Sequence, residues 1–134
     1  MAKQFTLDKT QRLKSRKSIE FLFKEGRSYS KFPYKIVYTI SNKTASSPPL
    51  QAGFTASSRN FKKAVDRNRI KRQMREAFRL QKLPLQEALL NTEKKMEIFF
   101  IYTGKELPVY DLLHTKMQGV LMTLLKTITD EKVA

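Results

Sequence analysis

Cysteine and tryptophan are both absent from the 134 residues. Without cysteine there is no disulfide framework and no thiolate metal site, and nothing points to secretion. Histidine occurs once, at His114, so no histidine pair can hold a metal. Only four glycines are present, and none belongs to a phosphate-cradling loop. Acids are scarce, 12 against 27 lysines and arginines. Those of the basic half, Asp8, Glu20, Glu25, Asp66 and Glu76, lack the spacing that converges several carboxylates on one two-metal site. No catalytic side chain is therefore expected. Long apolar runs are missing too. No window approaches the roughly 20 apolar residues of a membrane span. The basic stretch Met1 to Lys17 is not followed by the apolar run of a signal peptide. A cytoplasmic protein without membrane contact is the default expectation.

What the chain has is positive charge, a formal +15 with a pI near 10.2. The charge is uneven. Residues 1–31 carry net +6, 32–58 net +2, 59–82 net +8 and 83–134 net −1. Such an excess repels itself in a compact state unless a polyanion neutralises it. A polyanion should then meet the first half and the middle, with the last part as scaffold. A highly charged, merely solvated surface is the plainer alternative. The length fits one domain over 1–134 with frayed ends.

Apolar spacing suggests the elements. Residues 15–24 read as a helix, with Ile19, Leu22 and Phe23 on one side and Gly26 as terminator. Residues 34–40 alternate as a strand, Tyr34, Ile36, Tyr38 and Ile40 against Lys35, Val37 and Thr39. The stretch 41–49, with its serines and two prolines, reads as a loop. A second strand, 51–57, turns Ala52, Phe54 and Ala56 one way and Gly53, Thr55 and Ser57 the other. That second face is small and polar, open to close approach or simply solvated. Residues 64–82 form the clearest helix. Breaks are expected at Leu83-Pro84 and Thr103-Gly104. The run 96–102, MEIFFIY, suits a strand buried on both sides. Residues 109–129 close the chain as a helix with a stripe from Leu113 to Ile128. The expected class is α+β, a two-layer sandwich of a roughly four-stranded sheet with helices.

Helix 64–82 carries the strongest functional signal. At 100° per residue, Ile70, Met74, Ala77 and Phe78 share one arc. Arg67, Asn68, Lys71, Arg72, Arg75 and Arg79 fill much of the remainder, with Arg69 beyond them. The series Arg67, Lys71, Arg75, Arg79 places like charges at i, i+4, which disfavours an isolated helix. Phosphates between them reverse the sign. Arginine forks also match phosphate oxygens and base edges bidentately. A DNA-recognition helix competes with this reading, but a three-helix DNA reader has no use for the two apolar strands.

The run AVDRNRIKRQMREAFR, Ala64 to Arg79, closely resembles the signature helix of the bacterial ribonuclease P protein family. Arg12-Leu13-Lys14, then Phe23-Lys24, Gly26 and Ser28, resemble the family's N-terminal helix and turn. Tyr38 falls at its aromatic strand position, and Gly53-Phe54-Thr55 resembles the start of its central strand. Three positions depart from the pattern. Ser57-Ser58-Arg59-Asn60 has one basic residue where two are common, Lys62 stands for a glycine, and Ile19 stands for an aromatic.

The resemblance implies the protein subunit of a ribonucleoprotein that removes the 5′ leader of precursor tRNA. It implies that the ribonuclease P RNA performs the hydrolysis with magnesium held mainly by RNA, and that no obligate protein partner is needed. By position, Arg67, Asn68, Arg69, Lys71, Arg72, Arg75 and Arg79 face the catalytic RNA. Phe23 and Tyr38 become stacking candidates in a leader cleft, joined by Thr55 and Ser57, with Arg12, Lys14 and Arg59 as phosphate partners. On their own neighbours, Phe23 and Tyr38 read equally well as core. His114 reads as surface. The resemblance further implies a left-handed βαβ crossover, against the usual rule. A structural RNA binder such as a ribosomal protein, or a DNA-binding regulator, shares the same charge logic.

Overall fold

The computed structural model describes residues 16–42 and 49–133. In chain order the elements are α1 (Arg16–Glu25), β1 (Arg27–Lys31), β2 (Tyr34–Asn42), β3 (Leu50–Ala56), α2 (Ala64–Gln81), α3 (Leu83–Asn91), β4 (Lys94–Tyr102) and α4 (Tyr110–Val133). The four strands form one mixed sheet in the order β1-β2-β4-β3. β2 pairs antiparallel with β1 and β4, while β3 lies parallel to β4. Parallel neighbours cannot be joined by a hairpin, so the chain crosses over through α2 and α3.

Strand alternation divides the sheet into two faces. Tyr34, Ile36 and Tyr38 of β2 stand opposite Tyr102, Phe100 and Ile98 of β4, which stand opposite Ala56, Phe54 and Ala52 of β3. This face meets Ile70, Met74 and Phe78 of α2, Leu85 and Leu89 of α3, and Leu113, Met117, Leu124 and Ile128 of α4 in one core. Each such large side chain contributes about 1.5–3 kcal/mol when fully buried. The Tyr34 hydroxyl donates to the Leu113 carbonyl at 3.0 Å. Burial pushes its pKa well above the ordinary tyrosine value. Tyr29 ties the edge strand β1 to α4 through Thr123 Oγ1 at 3.3 Å.

Among the described residues, the opposite face carries α1 alone. Leu22 buries against Val37, with Ile19, Phe99 and Ile101 around them. Gly26 ends α1, its N–H bonded to the Leu22 carbonyl at 2.8 Å. A Cβ there would lie 2.3 Å from that same oxygen, so the turn into β1 accepts only glycine.

Two elements escape the periodicity argument. β1, RSYSK, contains a single apolar residue, Tyr29, because an edge strand needs only one inward anchor. α3 begins where Leu83-Pro84 suggested a break; Pro84 instead occupies the first turn of a helix, where its missing N–H has no partner to lose. The reading of MEIFFIY also needs correction. Met96, Ile98, Phe100 and Tyr102 are buried, but Glu97, Phe99 and Ile101 are only half-buried. The short α1 rests over β2 and β4 and leaves part of that face accessible.

Candidate nucleic-acid interface

α2 is fixed by its apolar arc. Ile70, Met74, Ala77 and Phe78 are the buried residues, as the wheel requires. Phe78 packs edge-on to Phe54 at 5.7 Å and against Phe100 at 5.5 Å, while Phe54 and Phe100 stack at 5.3 Å. With this side seated on the sheet, Asn68, Arg69 and Arg72 are held exposed on the outer side, flanked by half-buried Lys71 and Arg75.

Arg67 departs from that group. At 100° per residue it falls among the buried positions, and its side chain turns back along the chain. Nη1 donates to the Phe61 carbonyl at 2.7 Å and to the Lys62 carbonyl at 2.9 Å. It therefore clamps the loop that delivers α2 from β3. Arg67→Ala should cost about 1.5–3 kcal/mol, the usual worth of hydrogen bonds to a charged group. A denaturant midpoint unchanged by this substitution would show that the loop holds without the clamp.

Arg79 is also engaged, gripping the Glu76 carboxylate with two nitrogens, Nε at 3.2 Å. This bond holds the Glu76 carboxyl below its usual range. Lys82, which adds to the basic count of residues 59–82, is buried at the α2–α3 junction and presents no charge to a partner. The accessible basic surface of α2 is thus centred on Asn68, Arg69 and Arg72.

A second surface lies on the α1 face. The Phe23 ring meets Phe99 edge-to-face, 5.3 Å between centroids at 68°. Phe23 stays 49% exposed, half core and half platform. Register lines up Gly53, Phe99 and Val37 in one row and Thr55, Ile101 and Lys35 in the next. Gly53 offers no side chain beside Phe99, and Thr55 is half-buried, so the floor is shallow here. The floor runs on into a concavity of about 690 Å³ lined by Ser57, Arg59, Asn60, Ile101, Thr103 and Lys105, among others. Ser57 Oγ accepts the Arg59 backbone N–H at 3.1 Å, leaving the Arg59 side chain exposed at the rim. Asn60 Nδ2 donates to the Gly104 carbonyl at 3.4 Å, joining the two loops that frame the concavity.

Tyr38 does not belong to this groove. It is 8% exposed and lies in the main core, on the other face of the sheet from α1. Period-2 alternation explains the placement, since Val37 points to α1 and its neighbour must point away. The Arg27 guanidinium lies 5.9 Å from its ring centroid. Arg12 and Lys14 lie outside the described residues.

Three groove residues are absent from the sequence expectation, Phe99, Ile101 and Lys105. Phe99 and Ile101 sit inside an apolar run that signals only core. Lys105 is an unremarkable loop lysine until the register brings it to the end of β3. The alternation of β2 already separated Lys35 from the core.

His114 is half-buried, its ring 6.0 Å from that of Tyr110 and its carbonyl accepting Gln81 Nε2 at 3.0 Å. Among the described residues, no three of His, Cys, Asp and Glu gather into a group that could hold a metal ion. Also among the described residues, no helix is long and apolar enough to cross a membrane.

Comparison with known proteins points one way. The sequence profile of the family described as Ribonuclease P matches residues 7–123. The ribonuclease P protein component of Porphyromonas gingivalis strain W83 is 33% identical over 122 residues, spanning 90% of this chain and 87% of that protein. Its counterpart from Chlorobium phaeobacteroides is 30% identical over 125 residues, covering 87% and 86%. In fold, the chain resembles the Staphylococcus aureus RNase P protein, with a TM-score of 0.64, 19% identity and coverage of 85% and 94%. It likewise resembles the Thermotoga maritima RNase P protein, with a TM-score of 0.62, 24% identity and coverage of 82% and 94%.

Proposed function

This chain belongs to the ribonuclease P protein family, the protein component of a tRNA-processing endoribonuclease, and we propose how its two surfaces divide the work. Its partner is ribonuclease P RNA. The outer side of α2, centred on Asn68, Arg69 and Arg72 with Lys71 and Arg75 beside them, binds that RNA through phosphates. Arg67 shapes this surface by holding the loop ahead of it, and Arg79 adds to it through the fork it shares with Glu76. The groove on the α1 face takes the single-stranded 5′ leader of precursor tRNA. Phe23 and Phe99 supply the base platform, Thr55 and Ser57 the shallow polar floor, and Arg59 and Lys105 the phosphate contacts. Arg12 and Lys14 precede α1 and join the leader side. Bond cleavage belongs to the RNA, which holds the magnesium; the protein binds, orients and screens charge in the cytoplasm.

One observation carries this reading. The sheet separates a guanidinium-rich helix from a groove that combines exposed aromatic surface with cations. Single strands are gripped by that second combination, and folded RNA backbones by the first. The test is reconstitution of the full chain with a bacterial ribonuclease P RNA and a precursor tRNA at low magnesium. Cleavage at the mature 5′ end should accelerate when the protein is added. Equal rates with and without it would refute the role.

A further inference from the structure

Beyond the groove, the same end of the sheet holds a second concavity of about 480 Å³. Phe32, Leu107, Val109 and Leu112 form its apolar wall, all between 43% and 69% exposed, and Tyr102 and Lys105 close it toward the groove. Soluble proteins seldom leave four large apolar side chains open together without a use. The walls are built rather than loose. Thr103 donates to the Pro33 carbonyl from both its backbone N–H, at 2.8 Å, and its hydroxyl, at 3.0 Å. Those bonds lock the turn that carries Phe32 onto the loop after β4. The Tyr102 hydroxyl donates to the Glu106 carbonyl at 2.8 Å. A Cβ on Gly104 would lie 2.3 Å from that hydroxyl, so the glycine lets the loop close over the ring.

We propose that this pocket receives an unstacked nucleobase of the precursor's 5′ leader, extending the leader path past the groove onto Phe32. The proposal rests on the leader-binding role given above. Continuity argues for it, because Tyr102, Thr103 and Lys105 line both concavities, so a strand leaving the groove passes directly into the pocket. Charge argues for it as well. Arg59 and Lys105 border the groove, where phosphates belong, whereas the pocket pairs one lysine with the single acid Glu106 and is otherwise uncharged and mainly apolar. A near-neutral apolar slot beside a cationic track suits a base and not a phosphate. No residue of α2 lines the pocket, while three of the pocket's residues also line the groove, which favours the leader over the catalytic RNA as occupant.

The test compares wild type with Phe32→Ala in the holoenzyme reconstituted with ribonuclease P RNA. Single-turnover cleavage is titrated for precursors with a short leader, a long leader, and a long leader carrying abasic sites. Phe32 is 69% exposed, so its removal spares the core. Phe32→Ala should weaken binding of the long-leader precursor about tenfold, the worth of one stacked base. It should leave the short-leader and abasic substrates unchanged. As the chain has no tryptophan, Phe32→Trp supplies a single reporter, whose fluorescence should be quenched by the long-leader precursor and not by its abasic form. Equal affinities for wild type and Phe32→Ala on every substrate would overturn the proposal. So would a loss confined to affinity for the catalytic RNA, which would give the pocket a different occupant. A wild-type holoenzyme that does not distinguish long from short leaders at all would instead remove the leader-binding role itself.

Discussion

Tyr38→Ala lowers the stability of the fold by about 3 kcal/mol or more and leaves the preference for precursor over mature tRNA intact, whereas Phe23→Ala does the reverse. Tyr38 is 8% exposed among the side chains that join β2 to the helical layer, so its deletion opens a cavity between the sheet and those helices. The cost of a large-to-small change there combines lost transfer free energy with that cavity, because packing relaxes only partly. Phe23 meets Phe99 edge-to-face and leaves about half of its surface exposed. Such a pair is worth about 0.5–1.5 kcal/mol. Its exposed half is what a base can use, at roughly 1–3 kcal/mol per stacked base. The two measurements are denaturant unfolding and the ratio of precursor to mature tRNA affinity. A Phe23→Ala variant that lost both substrates equally, or that unfolded as readily as Tyr38→Ala, would return this ring to the core.

The double substitution Arg69→Ala with Arg72→Ala should flatten the salt dependence of binding to ribonuclease P RNA. Both residues are exposed on the outer side of α2, so neither change disturbs the buried arc of Ile70, Met74, Ala77 and Phe78. Each phosphate contact contributes close to one unit of slope in log affinity against log salt, through release of condensed counterions. Two lost contacts lower the slope by about two units. The affinity gap between wild type and variant then narrows about tenfold between roughly 50 and 200 mM salt. Thermal stability should hold, which separates this variant from Arg67→Ala, whose Nη1 bonds the Phe61 and Lys62 carbonyls. A parallel pair of salt curves would mean that Arg69 and Arg72 do not meet phosphate.

These contrasts show where local pattern ends. Arg67 and Arg69 are two residues apart in one basic run, and composition treats them alike. Helical rotation carries them to different sides of α2, one toward the incoming loop and one toward solvent. Tyr38 and Phe23 are both aromatics beside apolar neighbours, and only the face of the sheet that each occupies separates them. Pro84 misled because a proline that stops one helix also starts another. β1 was invisible because its stability comes from Tyr29 and its pairing with β2, not from a hydrophobic run of its own.

By itself the sequence determined the large excess of positive charge, the amphipathic arc of α2, the alternation of β2 and β3 and the family to which the chain belongs. Each depends on residues within a few positions of one another, whose spacing sets a period and whose charges simply add. Only the tertiary structure decided which cations remain exposed, which aromatics stay at the surface, and that Lys105 lies near the end of β3 and Phe32 near the end of β4. Those facts depend on strand register and on the crossover that sets β3 beside β4. Both are fixed by contacts between distant segments, which no local spacing encodes.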